Sequence, residues 1–264
     1  MPTTCVSVVS GKNKGRQMDM ADMLLAGMAL FLGGILKGAT GAGAPIIGVP
    51  ILAMLFNVPT AVALFTIPNL LTNISQGWQF RAHLGRMGLA TTLALWGALG
   101  TVVGSVLLAV APATLLMAGV GAVVLSYIAF RLLRPEWQLG ADAEKRLTAP
   151  AGLVAGVLQG AGGISAPVSI TYLNALRLER PRFIATISIF FCAMSLVQII
   201  ALAGLGIMTV QLTLLGFVTL GPLLLGMPVG NWLAKRVSRE AFDKVILVLL
   251  AGIAGKLLFD GLIA

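Results

Sequence analysis

Four stretches of the chain carry no Asp, Glu, Lys or Arg: Gly38–Phe80, Met87–Phe130, Leu147–Leu176 and Phe183–Ala234. Each exceeds the roughly 20 apolar residues that a helix needs to cross a hydrocarbon core, and the longer ones hold more than one crossing. Alternating ten-residue segments of the barrel type are absent, so the pattern predicts helices. The expected elements are a Gly-interrupted segment over about Met20–Phe56, then helices over Thr60–Phe80, Gly88–Val110 and Pro112–Leu132. A second series follows: a Gly-interrupted segment over Leu147–Leu176, then helices over Arg182–Ala203, Thr209–Ala234 and Ala241–Ile263.

The two series are copies of one unit. Gly34–Ile46 (GILKGATGAGAPI) recurs 122 residues later as Gly156–Val168 (GVLQGAGGISAPV), with seven of thirteen pairs identical. Biased composition alone would give about one or two. The same offset pairs Pro59 with Pro181, Asn73 with Ser195 and Gln76 with Gln198, and Gly100-xxx-Gly104 answers Gly226-xxx-Gly230 after a four-residue drift. The expected organisation is a disordered tail (1–19), a first transmembrane repeat (20–132), a cytoplasmic linker (133–148) and a second repeat (149–264). The linker is the charged stretch that includes Arg134, Glu136, Asp142, Glu144, Lys145 and Arg146. The tail has Lys12, Lys14 and Arg16 but neither an apolar run nor a small-residue cleavage site, unlike a signal peptide.

Charge then orients the copies. The loop holding Arg81 and Arg86 answers an uncharged one near Gly204–Thr209; the uncharged Ala109–Thr114 answers Lys235, Arg236, Arg239 and Lys244; the uncharged Asn57–Thr60 answers Arg177, Arg180 and Arg182. Each matched pair has opposite character, which predicts an all-α polytopic bundle of two inverted repeats. Each repeat would contain a discontinuous or re-entrant element plus three transmembrane helices. Strict inversion places the basic tail outside, against the usual bias, so the side of the N-terminus stays open.

Composition agrees with burial in lipid: 58% of the 264 residues are hydrophobic and 10% charged, with a net charge of +9. Clustered between apolar runs, the basic residues read as topology determinants rather than a nucleic-acid surface. Cys5 and Cys192 form no disulfide framework or metal spacing. No metal or cofactor is expected, and no catalytic set: His83 is the single histidine, beside Arg81 and Arg86, and reads as a solvated or headgroup-facing residue.

The candidate chemistry lies at the breaks. Gly41, Gly43 and Gly163 allow positive φ, and Pro45 and Pro167 suit the first turn of a new half-helix, whose free N–H groups attract anions. Thr40, Ser165 and the Ala166 backbone would add donors. The alternative is that small residues only permit tight packing. Lys37 precedes the first break inside an apolar stretch, with Gln159 as its repeat mate. It is either an intramembrane charge that neutralises an anion or a lysine snorkelling to the interface. Thr66, Asn69, Asn73 and Gln76 share one helix face, matched by Ser188, Cys192, Ser195 and Gln198. Two polar stripes can line a solute path or serve as interhelical glue.

The Gly34–Pro50 stretch, the Pro59 turn and the second Gly-Ala-Gly-Gly-Ile-Ser-Ala-Pro copy resemble the sulfite exporter TauE/SafE family of bacterial permeases over roughly residues 20–262. The resemblance implies a multi-pass inner-membrane protein whose substrate is a small anion such as sulfite or a sulfoacetate-like organosulfur compound. The family's runs of consecutive glycine are richer than Gly38-Ala-Thr-Gly-Ala-Gly, and Lys37 has no counterpart to carry over. The expected partners are that anion and the lipid bilayer, with no nucleic acid; an oligomer is compatible with the GxxxG pairs. A passive anion channel and an intramembrane enzyme are the competing functions.

Overall fold

The computed structural model describes residues 19–85, 87–133 and 138–236, together with isolated positions 248, 251, 252, 255 and 259. The tail to residue 18, Arg86, the 134–137 stretch with Trp137, Arg239 and Lys244, and nearly all of the helix expected over Ala241–Ile263 lie outside the described residues.

Among these residues the ordered elements are helices: α1 (Met20–Thr40), α2 (Ala44–Leu55), α3 (Val58–Gln79), a 3-10 turn (Arg81–His83), α4 (Met87–Val110), α5 (Ala113–Leu133), α6 (Ala141–Gly162), α7 (Ala166–Ala175), α8 (Arg180–Gly204) and α9 (Val210–Leu233). Six of them, α1, α3, α4, α5, α8 and α9, are long and apolar enough to cross a membrane. The 12 residues of α2 and 10 of α7 rise only about 18 and 15 Å, short of the roughly 30 Å hydrocarbon core.

Local chemistry sets the boundaries. Asn57 caps α3 by accepting from the Thr60 N–H at 2.8 Å, and Thr209 caps α9 by accepting from the Leu212 N–H at 3.2 Å. The Gly-interrupted segments are each two helices: α1 stops at Gly41 (φ 83°) and α2 starts after Gly43 (φ 92°), while α6 stops at Gly163 (φ 68°). Pro45 and Pro167 occupy the first turns of α2 and α7, where the missing N–H has no helical partner to lose. A Cβ on Gly33 would lie 2.9 Å from the Ala44 carbonyl oxygen, so α2 folds back along α1.

The expected linker differs from the structure in its second half. From Ala141 the chain is already α6, with Asp142 and Glu144 in its first turn, where carboxylates complement the helix N-terminus. Thr148, within the same charged stretch, is buried against the Tyr172 hydroxyl at 2.6 Å. Charge marked this stretch as loop because a solvated helical turn and a linker have the same composition.

Helix pairing exchanges partners between the repeats. A Cβ on Gly100 would collide with the Leu153 carbonyl oxygen and one on Gly104 with that of Val157, so α4 crosses α6 backbone to backbone with both chains running the same way. In the matching crossing, Gly34 meets Leu223 and Gly38 meets Met227, and α1 runs parallel to α9. At the centre, α3 and α8 are antiparallel: Asn69 bonds Ser195, and Gly77 lies beside Ser188. Leu95, Leu99, Val103, Leu214, Val218 and Leu225 face outward, as a lipid-facing rim would. Trp78 and Trp232 sit at helix ends, stacked by Arg81 and Arg236 at 4.3 Å, an arrangement suited to headgroups. Trp96 is exposed in mid-helix on α4.

Candidate functional site

Each break is embedded in the other repeat. A Cβ on Gly41 would lie 2.5 Å from Ile184 of α8, and one on Gly163 would lie 3.2 Å from Val62 of α3. The two breaks therefore stand near opposite ends of the antiparallel α3–α8 pair. One turn before each break is a polar side chain whose backbone carbonyl accepts the glycine N–H: Lys37 for Gly41 at 2.7 Å, Gln159 for Gly163 at 2.8 Å. The repeat has preserved the cap and changed the charge.

Lys37 is 1% exposed and does not snorkel. Its Nζ donates to Asn73 Oδ1 at 2.9 Å and lies 5.9 Å from the Phe191 ring centroid. Asn73 donates to Asn69 Oδ1 at 2.9 Å and to the Asn69 carbonyl at 2.7 Å; Asn69 donates to Ser195 Oγ at 3.0 Å. One turn further along α8, Gln198 bonds Gln159: Gln159 Nε2 donates to Gln198 Oε1 at 3.1 Å and Gln198 Nε2 to the Gln159 carbonyl at 2.9 Å. Ser165 completes this end by donating to Gln159 Oε1 at 3.0 Å. A buried polar column thus runs along α3 and α8 from one break to the other. An ammonium removed from water is costly unless paired, and among the described residues the groups touching this side chain, Asn73 and Phe191, are neutral.

The two ends of the column are not equivalent. At the second-repeat end Gln159, Gln198 and Ser165 satisfy one another. At the first-repeat end Gln76, the mate of Gln198, has Oε1 buried without a hydrogen-bond partner, and so does Ser188 Oγ on the facing helix. Leaving such an atom unpaired costs about 1–3 kcal/mol. The pairings differ accordingly: Lys37 bonds Asn73, whereas its repeat mate Gln159 bonds Gln198, the mate of Gln76.

The column brings together Lys37, Asn69, Asn73, Gln159, Ser165, Ser195 and Gln198, with Gln76 one turn from Asn73. Thr40 is engaged locally: its hydroxyl lies 2.8 Å from the Leu36 carbonyl and 2.5 Å from that of Ala42, and accepts from the Ala42 N–H at 3.3 Å. Gly41, Gly43 and Gly163 shape the breaks. Thr66 donates to the Val62 carbonyl at 2.6 Å. His83 is exposed, 6.3 Å from the Phe80 ring, consistent with a solvated residue. Arg180 Nη2 donates to the Ala39 carbonyl at 3.2 Å, joining α8 to the end of α1. Sequence reading missed Phe191, an apolar residue in an apolar helix, whose position over Lys37 has no local signature.

Two re-folded half-helices, a central pair lined with polar groups and an apolar exterior define a multi-pass helical membrane protein. A family model described as "Sulfite exporter TauE/SafE" matches residues 25–257, and the chain belongs to that family. It is a membrane transporter of the exporter type. No curated protein and no solved structure matches the chain significantly.

Proposed function

We propose that the protein carries sulfite or a small organosulfonate across the bacterial inner membrane by alternating access, with the anion held beside Lys37. The observation that carries this reading is a fully buried lysine side chain at a helix break whose contacts among the described residues are neutral. An anion supplies the missing counter-charge, and the first turn of α2 and the Ser188 hydroxyl supply further donors. Asn69, Asn73, Gln76, Ser195 and, at the far end, Gln159, Ser165 and Gln198 line its route.

Alternating access needs two elements that can exchange roles. Parallel packing of α4 on α6 and of α1 on α9, with α3 antiparallel to α8, supports repeats related by inversion: α1 and its mate α6 then run in opposite directions. Ligand-induced stabilisation of purified protein by sulfite, sulfate, thiosulfate and sulfoacetate, with Lys37→Ala beside it, tests the site. The expected result is stabilisation by a sulfur oxyanion that the variant loses. Equal stabilisation of folded Lys37→Ala would remove Lys37 from the site, and no stabilisation by any of them would reject a sulfur oxyanion as substrate.

A further inference from the structure

The asymmetry of the polar column carries a statement about substrate charge, which rests on the transport reading above. Among the described residues, the groups placed around Lys37 include Asn73 and Asn69 from α3, Phe191 and Cys192 from α8, and the Met227 backbone of α9, which packs on Gly38. Apart from Lys37 itself, none carries a formal charge. The rest of the column, Ser195, Gln198, Gln159 and Ser165, is equally neutral and already hydrogen-bonded. The α2 N-terminus adds a partial positive charge of roughly half a unit.

We propose that this site accepts a single negative charge, so the transported species is a monoanion, hydrogensulfite or a singly charged sulfonate, and doubly charged sulfur oxyanions are rejected. The cost of taking an ion out of water grows with the square of its charge, whereas one ammonium neutralises only one unit. A dianion would leave about half a unit of negative charge uncompensated among amides and one aromatic ring, and taking it out of water would cost about four times as much as a monoanion. The orphaned groups fit the same species. Gln76 Oε1 is a buried acceptor and needs a donor, which hydrogensulfite or a hydroxyl-bearing sulfonate carries and a fully ionised sulfite lacks; Ser188 can donate to an oxygen. This narrows the organosulfur class to exclude sulfoacetate, which bears both a sulfonate and a carboxylate.

The test is counterflow of radiolabelled sulfite in proteoliposomes, competed by isethionate and sulfoacetate, which are close in size but carry one and two negative charges. Isethionate is expected to inhibit at a concentration at least tenfold lower than sulfoacetate. Sulfoacetate inhibiting as well as isethionate would overturn the monoanion assignment while leaving the transport reading in place; absence of sulfite counterflow altogether would overturn both. Lys37→Gln installs the residue that the second repeat already has, and should fold because the fold accommodates glutamine at Gln159. Correctly folded Lys37→Gln, verified by its unfolding midpoint, is expected to lose counterflow; retained counterflow with the same preference for isethionate would also overturn the assignment.

Discussion

At the residue scale, the account turns on one hydrogen bond. Asn73 Oδ1 is the side-chain acceptor for Lys37, and Asn73 is itself held by Asn69. Asn73→Ala leaves a buried ammonium without that partner, and hydrogen bonds to charged groups contribute about 1.5–3 kcal/mol. The variant is expected to unfold at lower temperature in detergent and to regain part of the loss when a binding anion is added; an unchanged midpoint would mean that the bond contributes nothing. Lys37 was conspicuous in the sequence because charge is rare in apolar runs. Whether it snorkelled was not legible, because that depends on α3 and α8 covering it, which is a tertiary fact. The same holds for Gln76 and Gln198: they match in sequence, yet Gln198 bonds Gln159 whereas Gln76 Oε1 has no partner and Lys37 bonds Asn73 instead.

At the element scale, the glycines divide into two kinds that the motif alone did not separate. Gly41, Gly43 and Gly163 have positive φ and end or start helices, whereas Gly34, Gly38, Gly156 and Gly160 allow α1 to touch α9 and α6 to touch α4 along the backbone. A Cβ on Gly38 would run into the Met227 carbonyl, which cannot move without shifting α9; at Gly119 on α5 nothing lies within 4 Å. Gly38→Ala is therefore expected to destabilise by at least the 1–3 kcal/mol typical of overpacking, and Gly119→Ala to be neutral or slightly stabilising as a helix former replaces glycine. Thermal unfolding of the two variants side by side checks this; equal midpoints would contradict the close crossing. Among the described residues, helix existence and order were readable from apolar run length, and the breaks from Gly-rich runs ending in Ala-Pro. The start of α6 was not, because its first turns are solvated and charged like a linker.

At the scale of the whole molecule, helix directions place the described loops on two faces. The turn at Arg81–His83, the α8 start with Arg177, Arg180 and Arg182, and the α9 end with Lys235 and Arg236 share one; the loops near Asn57, Ala111 and Gly206 share the other, which carries no Lys or Arg among the described residues. The bias of basic residues toward the cytoplasm then predicts topology. In a background lacking Cys5 and Cys192, Ala82→Cys is expected to react with a membrane-impermeant maleimide only from the cytoplasmic side, and Gly206→Cys only from outside. Labelling of both from one side would refute the orientation. The opposed loop charges were visible in the sequence, whereas the exchange of partners, α4 with α6 and α1 with α9, required the folded chain.

The central claim is that an anion binds beside Lys37 at the first break, at one pole of the polar column. The most direct measurement is an experimental structure of the protein with selenite, a heavier analogue of sulfite located by its anomalous scattering. The account predicts one strong peak within hydrogen-bond distance of Lys37 Nζ, near Gln76, Ser188 and the first turn of α2. A peak instead at Gln159 and Ser165, or only among the basic loop residues, would contradict it.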